Sequence, residues 1–210
     1  MTSTVPRARG YADSCSICAV ARGRPKYTPG PLKAIERLSR DDIDQIRTLG
    51  KLRSRHGLDV VADLEPAWLD VARARLGLAE AHLRAATELV GIGVRGKIDE
   101  RNRSVVSRSY YAMYSAARAA LAYADYGDID GHEKVAARLN GSSIGKQPER
   151  DRVVAALNKF RALRNEADYS PFYPAPLGKD AKLSFREAKA VVRIARNWLR
   201  SMAKNRGLKL

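Results

Sequence analysis

From Leu64 onward the apolar residues of this chain recur at helical intervals and almost nowhere alternate, so there is material for helices and scarcely any for a sheet. Pro66 stands where a helix can begin. Trp68, Leu69, Val71, Ala72, Leu76, Ala79, Leu83 and Leu89 follow, until the glycines at 91, 93 and 96 stop it. A second long helix is predicted over Asp99 to Tyr126, with Tyr110, Tyr114, Ala117 and Leu121 on one side. A short one starts near Gly131 and His132, carries Val135 and Leu139, and ends at the polar stretch Asn140-Gly-Ser-Ser143. A fourth spans Pro148 to Tyr169 before Pro171, and a last one Ala181 to Lys204. Long helices with short joins bury their apolar stripes against one another. The expected fold is therefore all-α: an antiparallel up-and-down bundle of four to five helices with an extra N-terminal segment.

The division of the chain follows the same pattern. Residues 61–205 make the bundle, and residues 1–60 are a basic N-terminal extension. Its first 32 residues are rich in Gly, Pro, Ser and Arg and have no period, as expected of a mobile arm. Residues 33–56 read as one or two short helices, the second capped by Ser39-Arg-Asp-Asp42. At 210 residues the chain can bury one substantial core. No apolar run approaches the roughly 18 residues that cross a bilayer, and no signal-peptide stretch opens the chain. A cytoplasmic protein without membrane contact is the expectation.

Composition points to an anionic partner. Lys and Arg number 39 against 23 Asp and Glu, a formal net charge of +16, which favours nucleic acid or another polyanion. The last helix concentrates that charge. Lys182, Arg186, Lys189, Arg193, Arg196, Arg200 and Lys204 alternate spacings of four and three along one face, whereas like charges at these spacings repel. A phosphate backbone explains such a stripe better than stability does, and Arg193, Arg196 and Arg200 are its candidate contacts.

Cys15 and Cys18 are the only cysteines. A structural zinc site takes a second pair or two closely spaced histidines, yet His56, His82 and His132 are scattered. Neither metal nor cofactor is expected. Gly91-Ile-Gly93-Val-Arg-Gly96 matches a dinucleotide fingerprint in letters, but it follows a helix rather than a strand. Gly141-Ser-Ser-Ile-Gly145-Lys146 is one residue short of a phosphate loop and is read as a plain loop.

The run Arg161-Ala-Leu-Arg-Asn-Glu-Ala-Asp-Tyr169 carries the chemistry. At about 100° per residue, Leu157, Arg161, Arg164 and Asp168 share a stripe beside the core-facing Val153, Ala156, Phe160, Leu163 and Ala167. Charges at a core edge are either a satisfied ion pair or a site prepared for an anion such as phosphate. Both readings stand. In the structural one Asp168 pairs with Arg161 or Arg164, the tyrosines at 110, 111 and 114 are core aromatics, and His132 caps the short helix.

Four separated segments then agree with a known pattern: Ser107-Arg-Ser-Tyr-Tyr-Ala-Met-Tyr114 with the Ala-rich run to Leu121, Gly131-His-Glu-Lys134, Leu163-Arg-Asn-Glu-Ala-Asp-Tyr169, and Phe185-Arg-Glu-Ala188 with Trp198-Leu199. In this order, over residues 65–202, they resemble the HEPN superfamily, in its small bacterial and archaeal branch with an Arg followed by Ala-Asp-Tyr. The resemblance implies a commonly dimeric bundle whose motif residues face one cleft. It implies metal-independent ribonuclease chemistry in toxin–antitoxin or defence systems, often with a nucleotidyltransferase as antitoxin partner, which in some relatives modifies the motif tyrosine. In the nucleases an Arg precedes a His. Arg164 and Asn165 match the start, but Asp168 and Tyr169 stand where the His belongs.

The expected partner is RNA, with Arg164, Asn165, Asp168 and Tyr169 catalytic and Arg161, Tyr111, Arg193, Arg196 and Arg200 holding the substrate. The alternatives are a non-catalytic HEPN module that binds a nucleotide or a nucleotidyltransferase, and a basic nucleic-acid-binding scaffold.

Overall fold

A computed structural model describes residues 60–91, 98–125, 127, 129, 131–173 and 176–210, with side chains from Pro66 onward. Cys15, Cys18, the segment 33–56, His56 and most of the Gly91–Gly96 string lie outside the described residues. Five helices follow in order: α1 Val60–Gly91, α2 Ile98–Asp125, α3 His132–Asn140, α4 Gln147–Tyr169 and α5 Leu177–Asn205. No strand occurs among the described residues. The bundle expected from the apolar periods is present.

Alanine explains why α2 sits at the centre. Ala112, Ala116, Ala117, Ala119, Ala120 and Ala122 are fully buried; alanine costs nothing in helix propensity and lets neighbouring helices approach closely. Helix α2 packs on all four others, α5 touches α1, α2 and α4, and α1 and α4 do not meet. The pair α2 and α5 thus forms a central diagonal with α1 and α4 on its flanks. The two central helices run parallel: the Asn102 side chain lies beside Gly178, and Arg206 donates to the Tyr123 carbonyl at 3.0 Å. Helix α1 runs against them: Arg73 in its first half meets the Lys209 carbonyl just past the end of α5, and Leu89 near its end packs on the cluster of Val105, Val106 and Leu177 in the first turns of α2 and α5. Helix α4 does the same: Glu149 in its first turn meets Trp198 late in α5, and Ala167 near its end packs with Leu177 and Ala181 at the start of α5.

The core joins Trp68, Tyr110, Met113, Leu121, Leu157, Phe160 and Leu199, all at most 2 % exposed. A smaller cluster of Val105, Val106, Ala167, Leu177 and Ala181 closes the end where α4 finishes. Val153, Ala156, Phe160 and Ala167 face inward as expected, whereas Leu163 is only partly buried between the two clusters. Two boundaries differ from expectation. Helix α1 starts before Pro66, which lies exposed in its second turn, so the missing N–H removes only one intrahelical bond at a solvated surface. Helix α5 starts a turn early at Leu177, whose burial in the small cluster anchors the added turn. The string Gly141–Lys146 joins two helices as a loop. No helix among the described residues is long and apolar enough to cross a membrane.

Candidate functional site

The last two turns of α4 gather four of the candidate residues around one guanidinium. Arg164 and Asp168 are one turn apart, and Arg164 Nε lies 2.7 Å from Asp168 Oδ2. That N–H points off the oxygen, so the buried Nε has an ion-pair partner but no aligned hydrogen-bond acceptor. Nη1 donates to Asn165 Oδ1 at 3.1 Å, and Nη2 donates to the hydroxyls of Tyr111 and, at 3.3 Å, Tyr169. The guanidinium also lies over both phenol rings, 4.9 Å from the Tyr111 centroid and 5.2 Å from that of Tyr169, a placement that stabilises the cation. The Arg164 side chain is 11 % exposed, while Tyr169 at the rim is 72 % exposed.

A row of rings on α2 supports this cluster. Tyr110 is fully buried, and its hydroxyl lies 2.8 Å from His132 Nδ1. Burial pushes this phenol well above its ordinary range and the neighbouring Tyr114 adds to the rise, against Arg161 and Arg164, which pull it down. It therefore keeps its proton, and its hydroxyl shares one hydrogen bond with the imidazole nitrogen. The His132 ring also lies 4.3 Å from Tyr114 and 6.1 Å from Tyr111. His132 does not cap α3 through its side chain; it serves the tyrosine row instead. From the other flank His82 stacks on Tyr111 at 5.6 Å. Two histidines that are scattered along the chain thus reach one ring system through α1 and α3.

Burial, and secondarily Arg108, lowers the pKa of His82 from its ordinary value. Its native state then binds fewer protons than the unfolded chain between that lowered pKa and the ordinary value of about 6.5. Stability should fall as pH drops from neutrality through this window and level off below the lowered pKa. Denaturant titrations at a series of pH values check this: His82→Gln should flatten the dependence, and an unchanged slope would place its origin elsewhere.

Beside the cluster a cleft of about 440 Å³ is lined by Arg103, Ser104, Ser107, Arg108, Tyr111 and Asp168, with Glu100 and Ala167. Ser107 Oγ donates to Asp168 Oδ2 at 3.3 Å. Ser107 and Arg103 were not among the expected site residues, although Ser104, Ser107, Arg108 and Tyr111 recur at the helical three-and-four spacing that puts them on one face of α2. Arg103 holds the end of α4: its Nη1 donates to the carbonyls of Ala167 at 2.9 Å and Ser170 at 2.6 Å, and Nη2 to Pro171 at 3.2 Å. Ala167 is among the carbonyls that a helix end leaves without intrahelical donors, and Ser170 and Pro171 open the turn that follows it. Arg103→Ala should cost about 1–3 kcal/mol by orphaning them and should speed amide exchange over residues 166–170. Unaltered exchange there would show that α4 ends without its help.

The remaining candidates separate. Arg161 is not in the cluster; it pairs at 2.5 Å with Glu133, because α3 docks on that flank of α4. Arg196 is partly buried and pairs at 2.7 Å with Glu80 of α1. Arg193 and Arg200 are exposed on the outer side of α5. The cleft face of α2 looks out between α1 and α4 on one side of the diagonal, and the exposed face of α5 looks out between them on the other. Expected catalytic and backbone-binding residues therefore occupy opposite sides of the bundle. Among the described residues no group of three or more His, Cys, Asp or Glu side chains is placed to hold a metal ion.

No curated protein and no solved structure matches the chain. The HEPN domain family does match, over residues 72–205, from the fourth turn of α1 to the last residue of α5. That span contains the whole Arg164 cluster, the cleft and the tyrosine row. The chain belongs to the HEPN domain family.

Proposed function

We propose that this chain acts on RNA as a metal-independent endoribonuclease of a toxin–antitoxin or defence system, with the Arg164 cluster as its centre. One observation carries the reading: a carboxylate, two phenols and an amide converge on one nearly buried guanidinium at the edge of an open cleft. Cleavage of RNA without a metal requires a cation for the phosphorane, a group to take the 2′-hydroxyl proton and a group to protonate the leaving oxygen. A substrate phosphate replaces the phenol oxygens as acceptor of Arg164 Nη2, which frees Asp168 from part of its pairing. Asp168 Oδ2 then takes the 2′ proton as that oxygen bonds to phosphorus. Tyr169 gives its hydroxyl proton to the 5′ oxygen as the P–O5′ bond breaks. The products are a 2′,3′-cyclic phosphate and a free 5′-hydroxyl, and the two side chains restore their protons through solvent. The scheme calls for neither metal nor cofactor.

The test is incubation of labelled total RNA and tRNA with purified protein in chelator. Products with cyclic phosphate ends are expected, and Tyr169→Phe should slow their formation about 10²-fold, as loss of a general acid does. RNA that stays intact while demonstrably bound would move the protein to a non-catalytic role.

The 72 % exposure of Tyr169 favours a second reading. A phenol standing this far into solvent is open to a nucleotidyltransferase partner, which would transfer a nucleotidyl group to its oxygen and silence the cluster. Coexpression with such a transferase followed by peptide mass analysis checks it; an unmodified Tyr169 counts against it. In both readings the active form is a homodimer, which light scattering of the purified chain examines.

A further inference from the structure

The outer face of α5 is the strongest charge feature that the Arg164 chemistry does not use. At about 100° per residue, Lys182, Arg186, Lys189, Arg193, Arg200 and Lys204 fall within about 60° of one another around the helix, and all six are exposed. Their mean spacing is close to the helical repeat, so the row stays straight instead of winding round the helix. It runs for roughly 33 Å at about 1.5 Å per residue.

The acidic groups near this row are already engaged on its edges. Glu187 takes Arg152 of α4 at 2.9 Å and lies 3.7 Å from Arg186 Nε. Glu80 takes Arg196 at 2.7 Å, and Asp180 accepts from the Tyr173 hydroxyl at 3.2 Å. Lys189 Nζ lies 4.2 Å above the Phe185 ring. Lys182, Arg193, Arg200 and Lys204 make no ion pair or hydrogen bond with any described residue. Such like charges at spacings of three and four work against the helix that carries them, so the row is better explained by a ligand than by the fold.

We infer that the outer face of α5 is a polyanion-binding surface, separate from the Arg164 cleft, that holds the sugar-phosphate backbone of a nucleic acid without reading its sequence. Three features select this ligand. The row is linear and of one sign, which matches a chain of regularly spaced phosphates. It offers guanidinium and ammonium groups but no exposed aromatic ring for base stacking, so backbone contact is what it can provide. Among the described residues the exposed large hydrophobic ones are Leu78, Val90, Ile98, Tyr169 and Phe172, none of them on α5, whereas a helix that lies in a membrane surface presents apolar side chains beside its basic ones. A strand held here lies on the far side of the diagonal from the cleft, so grip and chemistry are divided between opposite faces of a protomer. The inference does not rest on the cleavage reading, because binding alone tests it.

The experiment is fluorescence anisotropy of a labelled oligouridine and of a labelled RNA duplex with the full-length protein over a range of salt. The proteins compared are wild type, the double variant Arg193→Ala/Arg200→Ala and, as a control that removes the same charge from exposed positions on α3 and α4, Lys134→Ala with Lys159→Ala. The double variant should bind about tenfold more weakly, and its log–log salt slope should be shallower by about 1.4 on the single strand and about 1.8 on the duplex, two phosphate contacts being lost. Its melting temperature should match wild type, since both side chains lie in solvent. The Lys134→Ala with Lys159→Ala control should keep an affinity and a slope near those of wild type. Wild-type affinity and slope in the double variant would overturn the inference, as would an equal loss in the Lys134→Ala with Lys159→Ala control. Anionic phosphatidylserine vesicles added as competitor should displace RNA poorly; capture on vesicles with no measurable RNA binding would also overturn it and assign the row to a membrane surface.

Discussion

Phe160→Ala lowers the stability of the bundle by about 3–5 kcal/mol, the usual cost of deleting a buried aromatic side chain and leaving a cavity. Phe160 is 1 % exposed and lies one turn before Arg164. At roughly 2–4 °C per kcal/mol for a domain of this size, the melting temperature should fall by roughly 10 °C or more. The cavity also loosens the turn that presents the guanidinium, so anion contacts at the cluster should weaken with the fold. Leu163→Ala makes the comparison: its side chain is only partly buried, and the loss should stay near about 1–2 kcal/mol. Thermal or denaturant unfolding of the two variants decides it, and equal losses would mean that the faces of α4 are assigned wrongly.

Gly145→Ala should cost about 3 kcal/mol, from two sources acting at one atom. Gly145 has φ +61°, a region that costs a residue with a side chain about 1–2 kcal/mol. Its new Cβ would also stand 1.9 Å from Trp198 Nε1. The indole cannot stay where it is: Trp198 is 4 % exposed and donates to Glu149 Oε2 at 2.7 Å, so moving it disturbs the core and breaks the bond that ties α5 to the first turn of α4. Gly207 supplies the control, because it has φ +73° with nothing near its Cβ position. Gly207→Ala should lose only about 1–2 kcal/mol. Similar losses at the two positions would show that the indole gives way freely.

The glycine illustrates what local pattern reveals. The letters around Gly145 suggest a loop and rule out a phosphate-binding turn, and the structure has a loop there. They say nothing of the tryptophan 53 residues later that forbids a side chain. The same division runs through the site. Helical spacing within α4 was enough to place Arg164 beside Asp168 and to turn Phe160 inward. Periodicity also aligned the stripe on α5. It carries no information about how one helix is rotated against another, and the departures are of that kind. Arg161 leaves the cluster because α3 brings Glu133 to it. Arg196 leaves the exposed row because α1 brings Glu80. His82 and His132, 50 positions apart in the chain, reach one row of tyrosines because α1 and α3 flank α2. Arg103 is engaged by the end of α4, a helix terminus 64 positions from it in sequence.

The loss of the usual motif histidine thus leaves a site of a particular composition. The arginine keeps its place at the edge of the core, phenols and a carboxylate surround it, and an imidazole stands one aromatic ring away, fixed by the buried hydroxyl of Tyr110. On the proposed reading the basic row on the far side retains the RNA, and Arg164 holds the phosphate at the edge of the cleft.

The most direct test of this account is the rate of RNA cleavage by Arg164→Ala beside wild type in chelator, with RNA affinity and melting temperature measured on the same preparations. The account predicts a loss of about 10²–10³-fold in rate, the usual effect of removing a donor that stabilises transition-state charge, with most of the affinity held by α5 and a folded bundle. Cleavage that persists undiminished in the variant would contradict it.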